Sequence, residues 1–146
     1  MANQASRSVG GVGSRREARE RARALLYEAE ARSATPAEVV AGLPLVPVEF
    51  CVDVVLGVGT HSASIDELIR RFARDWKLER MPWVDRTLLR MACYELAHRP
   101  DVPTNAVINE AVDLAKQYST EESGRFLNGM LSSIAGEVRG EEVGGA

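Results

Sequence analysis

The sequence predicts an all-α fold, on three observations. Apolar residues recur three and four positions apart, and no alternating stretch persists long enough to suggest a strand. All six prolines fall at the edges of these periodic segments, where a helix can start or must stop. Glycine and small polar residues gather between the segments and at the two ends.

Taken in order, the first helix covers about 14–32, with Ala18, Ala22, Leu25, Leu26 and Ala29 on one stripe. A short second helix follows Pro36, and the two prolines within 43–47 interrupt it. An apolar helix over about 47–58 ends near Gly57 and Gly59. Ser64 and Glu67 then form a capping-box pattern for a helix of about 64–78, whose inward stripe is Ile65, Leu68, Ile69, Phe72 and Trp76. Pro82 opens a helix running to His98, and Arg99-Pro100 stops it. Its Val84, Leu88, Leu89, Met91, Ala92 and Leu96 span so wide an arc that it should be central, or present apolar surface to a partner. A helix over about 104–118 turns Ile108, Ala111, Val112 and Ala115 inward, and Ser119 with Glu122 caps a last one to about 137. The expected organisation is a flexible tail over 1–13, one helical domain over 14–138 and a second tail over 139–146.

A chain of 146 residues can bury roughly 70% of its unfolded surface, enough for a real core. Charged residues make up 27%, and no apolar run approaches the roughly 20 residues of a membrane span. MANQASRSVGGVGS lacks the apolar stretch of a secretory signal, so a cytoplasmic protein with no membrane contact is expected. Cys51 and Cys93 sit in apolar runs without CxxC spacing, which predicts buried free thiols.

The net charge of -3 is unevenly spread. Residues 1–23 hold six arginines against two glutamates, or +4, leaving -7 for the rest. Glu17 can pair with Arg21, and Glu20 with Arg16 or Arg23, whereas Arg15 and Arg19 have no acid three or four positions away. On a helix, Arg15, Arg16, Arg19 and Arg23 fall within an arc of about 100°. Such a cluster at a helix start opposes the helix dipole, at roughly a few tenths of a kcal/mol each, unless a polyanion neutralises it. Arginine suits RNA, because its fork grips phosphate and its face stacks on unpaired bases. A solvated face held by its own ion pairs is the competing explanation.

The start RREAR, the run LRMACYEL at 89–96, and DVP, INEAVDLAK and FLNGML between 101 and 131 resemble the NusB family of bacterial antitermination factors. The resemblance covers about 14–134 and implies two packed three-helix bundles with an additional helix, six to seven helices in all. It further implies binding of boxA RNA in nascent ribosomal RNA leaders together with NusE, a ribosomal small-subunit protein. That pair would then join RNA polymerase with other Nus factors. The residues it marks for RNA are Arg15, Arg16 and Arg19, with Arg23 further along the same edge, Tyr27 beside it, and Glu122, Arg125 and Phe126 on the last helix. Asp85 and Arg86 lie on the helix that would face NusE. Glu122 fits a helix cap equally well, Tyr27 fits bundle packing, and Asn109, Glu110 and Asn128 fit hydrogen bonds between helices. Glu17 stands where the family often has a third consecutive arginine.

No catalytic constellation is legible. His61 and His98 are 37 positions apart, outside any metal-ligand spacing, and no GxxxxGK loop or nucleophile elbow occurs. No cofactor, no metal and no enzymatic activity are expected, and His98 reads as a helix-end cap. Two other readings stand beside the first: an RNA-binding module like those preceding the catalytic domain of ribosomal RNA cytosine methyltransferases, or a helical adaptor without RNA binding. A homodimer through the wide-faced helix is a further possibility.

Overall fold

The computed structural model describes residues 12–140. They form seven α-helices and one 3-10 turn, with no strand among the described residues. The helices are α1 (Val12–Ala31), α2 (Pro36–Ala41), α3 (Glu49–Thr60), α4 (Ser62–Phe72), α5 (Trp83–His98), α6 (Thr104–Tyr118) and α7 (Glu121–Arg139), and the 3-10 turn is Leu78–Arg80. The all-α expectation holds. The chain divides into two units, with the boundary inside α3 after Leu56.

In the first unit, Ala18, Ala22, Leu25, Leu26 and Ala29 of α1 are buried as their spacing predicts. The helix closes through Ser33 in the left-handed region (φ 53°), with the Ala34 amide donating to Ala29 O at 2.9 Å. α2 packs on α1 and starts from a complete capping box. The Glu38 amide donates to Thr35 Oγ1 at 3.1 Å, the Thr35 amide donates to Glu38 Oε1 at 2.9 Å, and Pro36 occupies the first turn. The connection to α3 leaves Leu45, Val46 and Val48 exposed. Phe50, Cys51, Val54 and Val55 of α3 are buried.

The second unit is organised around α5, which packs against α4, α6 and α7, while α6 and α7 pack along each other. Every residue from Met91 to Leu96 is buried, as are Val84, Leu88 and Leu89. The wide apolar arc therefore serves the core. Gly57 does not end α3; it lies within the helix, and a Cβ there would fall into the Tyr94 ring. Only glycine permits that approach.

Several boundaries differ from expectation for stated reasons. α4 begins at Ser62, so Ser64 sits inside the first turn, and its hydroxyl donates back to His61 O at 3.2 Å instead of forming a box with Glu67. The same helix stops at Phe72, which puts Trp76 outside it and 37% exposed. α7 is capped by Thr120, not Ser119, with the Ser123 amide donating to Thr120 Oγ1 at 2.9 Å. His98 caps nothing. It is exposed, with its ring stacked 3.9 Å from His61 and 5.1 Å from Tyr94.

The end of α5 is covered instead by Arg139. Its guanidinium donates to the carbonyls of Leu96 (3.0 Å), Glu95 (3.2 Å), Arg99 (2.9 Å) and Val102 (2.8 Å), and to Thr104 Oγ1 (2.9 Å). The second tail, expected from 139, therefore starts too early: Arg139 belongs to the fold, and Gly140 follows it in the left-handed region (φ 66°) as a C-cap. α1 likewise begins at Val12, inside the expected first tail, and 1–11 and 141–146 lie outside the described residues.

Candidate nucleic-acid interface

Helical geometry explains how α1 distributes its arginines. Arg19 lies about 20° from Leu26 around the helix axis, at the border of the inward stripe. It is accordingly only 4% exposed, with its guanidinium carbon 5.1 Å from the centre of the Phe50 ring. Arg15 approaches the same ring at 4.2 Å and keeps part of its surface. Two guanidiniums over one aromatic ring form a cation–π cluster between α1 and the start of α3, inside the first unit. Arg19 is thus corrected from a phosphate contact to a structural residue.

Arg16, Arg23 and Tyr27 lie further from the stripe. Arg16 and Arg23 are half-buried, and Tyr27 is 46% exposed. Together with Arg15 they line an arc of about 120° along α1, a basic edge with an aromatic at its far end.

In the second unit the start of α7 presents Glu122 and Arg125 to solvent and Phe126 in part. Trp76 packs edge-on against Phe126, with ring centres 4.8 Å apart at 62°. Sequence periodicity assigned Trp76 to the core; what it could not show is that α4 ends four residues earlier. Below this surface lies a polar cluster. Ser123 Oγ donates to Asp85 Oδ2 at 2.8 Å, and the Ser119 and Thr120 hydroxyls stand 2.9 and 3.1 Å from the same Oγ. This cluster ties the first turn of α7 to the first turn of α5.

Asp85 has no accessible surface, so its expected role at a partner surface is corrected to that of an internal anchor. Arg86 is half-buried and donates from Nη1 to Met81 O at 3.0 Å, bracing the entry to α5. Asn109 and Asn128 are exposed, contrary to their expected place between helices. Both thiols are free and buried, as expected. Burial pushes Cys51 from 9.0 up to about 11 against the opposing charge of Arg21, and pushes Cys93 up to about 12 with help from Asp66. Among the described residues no group of three or more His, Cys, Asp or Glu could hold a metal ion, and no helix is long and apolar enough to cross a membrane.

Comparison with known proteins places this architecture. The NusB family model matches residues 16–136. The transcription antitermination protein NusB of Heliobacterium modesticaldum is 43% identical over 132 residues, spanning 86% of this chain and 64% of that protein. The chain thus spans slightly less than two thirds of that relative. NusB of Myxococcus xanthus is 40% identical over 134 residues, 85% of this chain and 96% of its own length. Among solved structures, T. maritima NusB superimposes with a TM-score of 0.76 at 34% identity, covering 84% of this chain and 91% of that one. A crystal structure of antitermination factors NusB and NusE in complex with dsRNA matches with a TM-score of 0.73 at 28% identity, over 87% of this chain and 99% of the matched chain. On sequence and fold together, the chain belongs to the NusB family of transcription antitermination proteins.

Proposed function

We propose that this protein binds boxA RNA in nascent ribosomal RNA transcripts jointly with NusE, and in that form joins RNA polymerase and other Nus factors in the cytoplasm. The observation that carries the reading is the basic edge of α1, where Arg15, Arg16 and Arg23 keep surface beside an exposed Tyr27 in an otherwise acidic chain. Guanidinium forks set affinity and register on phosphate, and the tyrosine offers a face to an unpaired base. Glu122, Arg125 and Phe126 contribute a second set of contacts from α7.

NusE as the protein partner is supported by the matched crystal structure, which holds NusB, NusE and dsRNA. Asp85 has no part in that contact, and Arg86 enters it only through the surface it keeps. The protein acts by binding alone: it brings RNA and a ribosomal protein to the polymerase without chemistry of its own.

The test is a linked titration. The affinity of boxA RNA is measured with and without saturating NusE, and that of NusE with and without RNA. Each ligand should tighten the other by the same factor, as linkage demands. Independent affinities would remove the joint-binding mechanism, and binding of NusE without RNA would favour the adaptor.

A further inference from the structure

We propose that Trp76 is a second base-stacking side chain, forming with Phe126 an aromatic platform for unpaired RNA bases; this rests on the RNA-binding reading above. Trp76 lies in the irregular segment between α4 and the 3-10 turn and is 37% exposed. Tryptophan is highly buried on average though seldom completely so, and this one leaves more than a third of its surface open. It meets Phe126 edge-to-face, at 4.8 Å and 62°. An edge-to-face pair engages at most one ring face, so the exposed part of the indole can take a base.

The surroundings suit a polyanion. Residues 70–80 hold five basic and two acidic side chains. Arg70 pairs with Glu79 at 3.0 Å and Arg71 with Glu137 at 2.7 Å. Arg74, Lys77 and Arg80 flank Trp76 in sequence and are exposed, as is Arg125, the residue before Phe126. Exposed aromatics interleaved with cations are what single-stranded RNA recognition requires: stacking for the bases and positive charge for the phosphates. The tie from Asp85 to Ser123 fixes the turn that carries Phe126, so the platform is held ready before RNA arrives.

The experiment uses the full chain carrying Trp83→Phe, which leaves Trp76 as the sole tryptophan. Its fluorescence is followed during titration with a short single-stranded boxA RNA, with inorganic polyphosphate, and with NusE alone. The expected result is quenching by RNA and none by polyphosphate, because only RNA brings a base to the indole. In the otherwise unchanged chain, Trp76→Ala should weaken RNA binding by about tenfold or more while leaving polyphosphate affinity unchanged, and Trp76→Phe should retain most of the RNA affinity. Wild-type RNA affinity in Trp76→Ala, with no RNA-specific quenching, would overturn the proposal and leave the RNA reading intact. An equal loss for RNA and polyphosphate would assign Trp76 to the fold alone, and a fluorescence response to NusE only would assign the surface to protein. A wild-type chain that binds no RNA would overturn both readings.

Discussion

Asp85 places a carboxyl where no water reaches it, with one oxygen accepting the Ser123 hydroxyl and the other finding no hydrogen-bond donor among the described residues. Its position in the first turn of α5 lets the helix amides favour it electrostatically. Ser123 supplies the one direct donor, so Ser123→Ala should lower stability by about 1–3 kcal/mol, read from urea unfolding. A change near zero would mean that the carboxyl is satisfied otherwise. The cysteines give a residue-scale prediction in pH. Burial raises their ionisation to about 11 and about 12 from 9.0, so above 9.0 the unfolded chain sheds protons that the folded chain retains. Their contribution is complete below pH 9 and is lost as pH rises through 9 toward 11 and 12. Replacing both by alanine should therefore reduce the fall in the urea midpoint between about pH 8 and about pH 10. An unchanged fall would place the alkaline sensitivity elsewhere.

At the scale of elements, of the Ser/Thr-x-x-Glu patterns at 35–38, 64–67 and 119–122, only the first is a capping box. Pro36 fixes the start of α2 one residue after Thr35, whereas the cap of α7 falls one residue later than expected, on Thr120, and α4 starts from His61 with no side-chain cap hydrogen bond. The stripes of α1, α5, α6 and α7 were legible because burial follows a single helix period. The Arg139 hub was not, since its acceptors lie 35 to 44 residues away in sequence. Arg139→Ala strips a charged donor from the last turn of α5, and each such bond is worth about 1.5–3 kcal/mol. A loss of at least about 2 kcal/mol is expected, with faster amide exchange at the end of α5. Arg139→Lys should recover little, because an ammonium cannot reproduce the planar fork. Full recovery with lysine would show that charge alone suffices.

Over the whole molecule, an acidic chain gathers basic side chains at α1 and again after α4, and each unit presents aromatic surface beside such a cluster: Tyr27 in the first, Trp76 with Phe126 in the second. The cluster on α1 was legible as charge in sequence, and Tyr27 and Phe126 came from the family resemblance. Which arginine reaches solvent was not legible, because Arg19 and Arg23 differ only in how near each lies to the buried stripe, and the Phe50 ring under Arg15 and Arg19 belongs to another helix. That difference supplies the most direct test of the account, the salt dependence of boxA RNA affinity in single alanine variants of Arg16, Arg23 and Arg19. Arg16→Ala and Arg23→Ala should each make the slope of log affinity against log salt shallower by about 0.7, the value for one lost single-strand phosphate contact, with stability near wild type. Arg19→Ala should destabilise the first unit and leave the slope of the folded protein unchanged. Unaltered slopes in Arg16→Ala and Arg23→Ala would contradict the assignment of the α1 edge to RNA.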